Sequence, residues 1–349
     1  MPRPLTDETD LALIAAIRLD PRAPWAKIGQ ALDVDAATAA RRWARLVDDG
    51  TAWLTADPGT PRADHMCLAF VEVNCATDQA AAAGRELAGN PRIASVEHVT
   101  GGHDLCLTVF APGLDGISDV LLAEIAQVPG VIATRSYLAT QFFTADRTGQ
   151  RGTLDEARLR RPPTAPPLPE PDVRELLHAM AGDCRISVSA LAQRLGVSRA
   201  TARRHMDTAL AHRQLVIRCD VTRSVTGTPV VANIRTIVPP DELAAVGRAV
   251  AALPGTRLSA ELAGGPSNLL LCFWLPGLTE LERVEVTLAE RFPVVHVADR
   301  VVILRTIKRF GRMLDARGRA TAQIVLDPWD TGDSAGSYRR LVAPTLSAI

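Results

Sequence analysis

Three arginines recur on one side of a short segment: Arg199, Arg203 and Arg204, with Ser198 and Thr201 close by and His205 directly after. Guanidinium forks on a helix face meet phosphates as charges and base edges as paired donors. The stretch is RISVSALAQRLGVSRATARRHMDTAL, Arg185 to Leu210. Its elements must be two helices around a tight corner. Val188, Leu191 and Leu195 fall at i, i+3 and i+7 and predict the first helix. Gly196 supplies a positive φ at its end, and Val197 is expected to cap the small core. Ser198 is a suitable N-cap for the second helix, whose buried face is expected at Ala202, Met206, Ala209 and Leu210. That pair has the shape and charge for a DNA major groove. The alternative is an ordinary helical hairpin with solvated arginines.

The whole chain carries no such charge. Its 349 residues hold 39 basic and 39 acidic side chains, so nucleic-acid attraction must come from local patches. A hydrophobic share of 47% with 22% charged residues describes a folded chain, and its length suits two to four domains. The six cysteines, at 67, 75, 106, 184, 219 and 272, show no CxxC and no ligand spacing. They read as reduced thiols of a cytoplasmic protein, with no metal and no cofactor expected. The N-terminus lacks an apolar leader, and no run approaches membrane-spanning length.

The opening residues repeat the arginine segment. A helix is expected over Thr6–Ile17, capped by Thr6, with Leu13, Ile14 and Ile17 buried. A second carries Trp25, Ile28 and Leu32; Asp33-Val34-Asp35 turns the corner; a third spans Ala36 to Val47. Shifted by 163 positions, Asp20, Arg22, Gln30, Leu32, Val34, Ala37, Thr38, Ala39 and Arg41 meet identical residues. Nine identities over 22 ungapped positions mark an internal duplication.

Each copy continues as β-α-β-β-α-β. In the first, strands are expected at 66–75, 93–100, 104–111 and 131–143, with helices at 77–89 and 114–127. In the second, strands fall at 230–238, 257–263, 268–275 and 295–307, with helices at 240–252 and 278–291. The fold class is therefore α+β: two repeats, each a winged helix-turn-helix followed by a ferredoxin-like βαββαβ domain. The expected boundaries are 1–60 and 61–146, a proline-rich linker at 147–169, then 170–225 and 226–314, and a tail at 315–349 with a short strand at 323–326.

This arrangement resembles the Lrp/AsnC family of bacterial transcriptional regulators. The likeness is carried by TDETDLALIAAI, by Leu195-Gly196-Val197-Ser198 with Thr201 and Arg204, by Val99-Thr100-Gly101-Gly102-His103-Asp104-Leu105, and by Pro129-Gly130-Val131. Two departures stand out. The family usually has one unit per chain, and the first corner has Asp33 and Asp35 in place of Gly and Ser. Residues 6–50 carry six basic against eight acidic side chains; residues 170–213 carry seven against five.

The resemblance implies double-stranded DNA as a partner, a small effector such as an amino acid, and a homo-oligomer. DNA contacts are expected from Ser198, Arg199, Thr201, Arg203, Arg204 and His205, and from Thr38, Arg41, Arg42 and Arg45. By the same analogy Thr100, Gly101, Gly102, His103, Asp104, Gly264, Gly265 and Asn268 would meet the effector. A tight hairpin that needs glycine for φ > 0 is the other reading of those turns. Siroheme decarboxylases share the fold, typically with a His-Asn-Tyr stretch and a Tyr-Asn-x-Trp-Phe strand. Here the counterparts are Glu97-His98-Val99-Thr100 and Asn268–Trp274, without the tyrosines, and Phe273-Trp274 reads as strand core. No catalytic constellation is spaced along the chain, so a regulator is expected rather than an enzyme. A metabolite-sensing assembly protein with weakened DNA binding is a third reading.

Overall fold

The structure is a computed structural model and describes residues 6–59, 66–143 and 165–330. The expected linker between 147 and 164 and the tail beyond 330 lie outside the described residues. The chain opens with α1 (Glu8–Leu19), α2 (Trp25–Leu32) and α3 (Ala36–Asp48), then β1 (Ala52–Pro58). Asp7, not Thr6, caps α1: it forms a reciprocal capping box with Asp10, which a threonine one position earlier is out of register to make. Asp33 holds the left-handed corner at φ 53°. The second copy repeats these elements as α6, α7, α8 and β6. Their ranges are Glu170–Met180, Val188–Leu195, Arg199–Ala211 and Leu215–Val221. Between the two sets lie β2 (Cys67–Cys75), α4 (Ala80–Ala88), β3 (Ile93–Val99), β4 (Leu105–Ala111), α5 (Gly113–Asp119, continued as a π-helical turn to Ile125) and β5 (Val131–Phe142).

The two winged helices form one body. Strands β1 and β6 pair antiparallel along their whole length, from Ala52↔Val221 to Pro58↔Leu215. A single apolar core runs through both, including Leu13, Ile17 and Trp43 from one and Leu176, Met180 and Met206 from the other. The contact is also reciprocal at the polar level. Arg22 donates to the carbonyls of Cys184 and Ile186, while Arg185 donates to those of Pro21 and Ala23, the latter two both at 2.5 Å. Arg22 and Arg185 are related by the 163-residue repeat, so the clamp has the two-fold character of a homodimer contact inside one chain.

The second sheet half comprises β7 (Val230–Ile237), α9 (Leu243–Ala251), β8 (Thr256–Ala263), β9 (Leu269–Leu275), α10 (Thr279–Arg291) and β10 (His296–Arg309). The two halves merge into one ten-stranded sheet, and a further pairing of β10 with β7 closes eight of its strands into a ring. Each long last strand serves both halves. Strand β5 pairs with β2 through Val131–Leu138 and with β8 through Leu138–Phe142. Strand β10 pairs with β7 through His296–Val302 and with β3 through Ile303–Lys308.

The strand ends then insert into the opposite core. A Cβ on Gly247 of α9 would stand 2.3 Å from the Phe143 ring, and one on Gly84 of α4 would stand 2.6 Å from Ile307 Cδ1. The missing side chains therefore make room for the exchanged arms. Sequence patterning left open whether the sheet domains pair within or between chains; they pair within the chain.

Two further details depart from the sequence reading. Val197 is 36% exposed, because the left-handed Gly196 turns it outward instead of over the core. Residues 324–326 are not strand: after β11 (Arg312–Leu314), the last strand among the described residues is β12 (Ala320–Gln323), ended where the chain turns to dock Ile324 and Leu326 into the cores. Phe273-Trp274 is strand core as expected: Phe273 packs in the half-domain core, and Trp274, on the other side of the strand, packs in a second buried cluster with Val231 and Ile303 and also borders a cavity. The tail itself is pinned by Asp327, buried and bonded to Arg174 Nε at 2.9 Å and to His178 Nε2 at 3.0 Å.

Candidate nucleic-acid interface and central cavity

Helix α8 begins with a well-formed cap. Ser198 Oγ accepts the Thr201 N–H at 3.1 Å and lies 2.9 Å from Thr201 Oγ1, so both hydroxyls are engaged in starting the helix. Beyond the cap, Arg199 and Arg204 are exposed, and Arg203 is 73% exposed with only a loose 3.7 Å approach to Asp207. Exposed pairs of this kind contribute little. His205 is half-buried beside them. The structure thus gathers Arg199, Arg203 and Arg204 on one open helix face.

The equivalent face of α3 is organised differently. Asp35 caps the helix through Thr38 N–H at 2.8 Å and also takes the Thr38 hydroxyl at 2.6 Å. Arg41 donates to Thr38 Oγ1 at 3.2 Å and remains exposed. Arg42 reaches back to Asp7 and Asp10, at 2.8 and 2.9 Å, and Arg45 to Asp10 at 2.5 Å. The Arg42 bond holds the Asp7 carboxyl below the usual carboxylate range, and Asp7 in turn raises the Arg42 guanidinium. Two of the three arginines expected at DNA are ion-paired to the start of α1.

The two glycine turns occupy equivalent places in the sheet, and their polar side chains lock strands. Asp104 Oδ2 accepts the Cys75 N–H at 2.7 Å; Asn268 Oδ1 accepts the Val238 N–H at 2.9 Å and its Nδ2 donates to Val238 O at 2.7 Å. Thr100 Oγ1 accepts the Val302 N–H at 2.9 Å. His103 is buried, with Nε2 3.1 Å from Cys106 Sγ and Nδ1 3.9 Å from Glu72; burial above all pushes its pKa down. Gly265 sits at φ +69° with a Cβ position 2.5 Å from the Tyr137 ring. Gly101, Gly102, Gly264 and Gly265 are themselves exposed.

Between the winged-helix body and the closed sheet lies a cavity of about 800 Å³, within the range of ligand sites. Its walls combine aromatic faces, including Phe70, Trp274 and Phe310, with guanidiniums, including Arg18, Arg218, Arg235, Arg257 and Arg309. Arg235 is ion-paired to Glu72 and, at 2.6 Å, to Asp299. Glu72, His103 and Asp299 could hold a metal by distance, but Arg235 already ion-pairs with both carboxylates, and Arg135 approaches Glu72 at 3.7 Å. Sequence reasoning missed this cavity because its residues come from α1, β2, β6, β8, β9 and β10 with no common spacing. It also missed the Arg22–Arg185 clamp, although the identity of those two arginines across the repeat was a usable signal.

The class defined by this architecture is a pseudo-dimeric α+β chain of two winged helix-turn-helix units standing on two merged βαββαβ halves. Residues 7–47 match the AsnC-type helix-turn-helix domain, residues 68–148 the Lrp/AsnC ligand binding domain, and residues 173–209 a winged helix-turn-helix DNA-binding model. Two stretches of the chain thus match Lrp/AsnC-type domain models and a third a second winged helix-turn-helix, which is consistent with a tandem-duplicated Lrp/AsnC arrangement. It is 27% identical over 129 residues to the HTH-type transcriptional regulator LrpA1 of Halobacterium salinarum, covering 37% of this chain and 91% of that one. In fold it is similar to the siroheme decarboxylase NirDL, with TM-score 0.56, 13% identity and coverage of 96% and 98% of the two chains. The same enzyme in co-complex with an iron-uroporphyrin III analogue gives TM-score 0.54, 14% identity and coverage of 86% and 92%. At such identities the likeness is one of fold. Among the described residues no helix is long and apolar enough to cross a membrane.

Proposed function

We propose that this chain is a sequence-specific DNA-binding transcriptional regulator of Lrp/AsnC type whose sheet halves sense a small metabolite. The carrying observation is the open face of α8, where Arg199, Arg203 and Arg204 project from a Ser198-capped helix. Because the two winged helices are clamped in one chain, the reading is of a monomer that presents two unlike half-site readers, α8 dominant and α3 subsidiary. Each half has strand order 4-1-3-2, which supports the ferredoxin-like assignment, and its glycine turn offers exposed backbone to an effector such as an amino acid. The proposed boundaries remain those expected from sequence, and larger assembly is a homo-oligomer of these pseudo-dimers. Fluorescence anisotropy on the protein's own upstream DNA, at stated salt, tests the reading. R203A/R204A is expected to abolish sequence discrimination and lower the salt slope. Unchanged binding by that variant would overturn it.

A second reading has one observation in its favour: the cavity, with arginines and aromatic walls, occurs in a chain whose whole length shares the fold of a siroheme decarboxylase. The absence of the tyrosines expected at Asn268–Trp274 weighs against it. Anaerobic incubation with siroheme, followed by mass spectrometry for loss of carboxyl groups, decides between them.

A further inference from the structure

The winged-helix body and the closed sheet meet at a cluster of guanidiniums that DNA binding leaves without a task. Arg18 comes from the last turn of α1, Arg218 from β6, Arg257 from β8 and Arg309 from the end of β10; all border the cavity. Arg218 Nε donates to Asp57 at 3.0 Å and Arg309 Nε to Asp220 at 2.9 Å. Arg257 lies over the Trp274 ring at 3.7 Å from its centroid, and Arg309 lies 5.2 Å from the same ring.

Three buried polar atoms here have no hydrogen-bond partner: the donors Arg18 Nε and Arg218 Nη2, and the acceptor Asp220 Oδ2. Burial first, then repulsion from Arg309 and Arg18, brings the Arg257 guanidinium down to about 10, and Asp220 offsets only part of this. Buried polar groups are ordinarily satisfied, and a cavity bordered by a cluster of like-charged guanidiniums fits a ligand that brings negative charge and further acceptors.

We infer that the cavity binds a planar organic acid, its acid group held by the guanidinium cluster of Arg18, Arg218, Arg257 and Arg309 that borders it, a neighbouring N–H or O–H given to Asp220, and its ring against the aromatic wall at Phe70. Arg18 and Arg218 belong to the winged-helix body, Arg257 and Arg309 to the closed sheet. Occupancy therefore ties the two layers together and, granting the DNA-binding reading, gives the ligand a direct route to the recognition helices. This site differs from the glycine turns in location and in the size of molecule it admits.

The test uses the full chain and 1-hydroxy-2-naphthoate, a planar acid with an adjacent hydroxyl, against its methyl ester and inorganic phosphate, by calorimetry. The naphthoate is expected to bind at least about tenfold more tightly than the ester and than phosphate. R18Q and R257Q should each lose about tenfold for the acid while leaving the ester unchanged, with melting temperature reporting that both fold. Equal affinity for acid and ester, acid affinity that neither substitution alters, phosphate binding as tightly as the naphthoate, or no saturable binding of the acid at about 1 mM would each overturn the inference. R203A/R204A should bind the naphthoate as the unaltered chain does, so loss of DNA binding and loss of the ligand site are separately visible.

Discussion

Helices α3 and α8 descend from one sequence, have the same length of 13 residues and stand on one core, yet they present opposite surfaces. In α3 the acidic pair Asp7 and Asp10 draws Arg42 and Arg45 back onto α1. At the 163-residue offset, Glu170 stands where Asp7 does and Val173 where Asp10 does, while His205 and Thr208 take the places of Arg42 and Arg45. The buried acidic anchor has become an apolar core residue, since Val173 is buried among the helices of the second unit. Arg204, the counterpart of Arg41, stays exposed, with Arg203 beside it. The corner differs too, with Asp35 capping α3 and neutral Ser198 capping α8. A duplicated domain can therefore keep its buried apolar stripe and its clamp while a few carboxylates reassign its surface charge, because surface pairs are not fixed by close packing as core residues are.

Both helices stand on one rigid frame, and removing the Arg22 and Arg185 clamps should disturb it most. R22A/R185A is expected to lose about 3 kcal/mol in urea unfolding, since each guanidinium bonds two carbonyls of the other unit. Equal stability of variant and parent would show that β1–β6 pairing alone holds the frame. Next, R203A/R204A should weaken operator binding by about 100-fold near 0.1 M salt, whereas R41A should cost only about threefold. Comparable losses would erase the distinction between the helices.

A third test concerns β10, where Lys308 is fully buried with its Nζ donating to Asn90 O at 2.7 Å. Burial lowers its pKa to about 7. The unfolded chain keeps this proton to higher pH, so folded stability should rise with pH by about 1 kcal/mol between pH 6 and 8 relative to K308M. A flat difference between the two would show that Lys308 titrates in the folded chain as it does in the unfolded one. The smallest effect is expected from D7N/D10N, which frees Arg42 and Arg45. Operator affinity should rise about threefold and the salt slope should steepen, as measured by anisotropy.

Much of the fold was legible because periodicity and the 163-residue repeat are local signals. Both helical corners, the Ser198 cap and the order of the sheet strands follow from them. The Asp7 cap was misplaced by one residue, since Thr6 and Asp7 are both good caps and only the Asp10 partner decides between them. On α8, residue type and spacing placed Arg199, Arg203 and Arg204, all three exposed, on an open helix surface. They could not show that Arg42 and Arg45 were engaged elsewhere, because Asp7 lies 35 residues from Arg42.

The sequence by itself determined that the chain is two copies of one unit, which faces of its helices are buried, and which copy carries the excess of positive charge. Those properties reside in residue type and short-range spacing. Tertiary structure alone decided that the copies fold onto each other, that Phe143 and Ile307 exchange into opposite cores, that Arg42 and Arg45 of α3 are tied to α1, and that guanidiniums from five separate elements converge on a cavity. Each of these depends on contacts between residues far apart in the chain, where no local pattern records the partner.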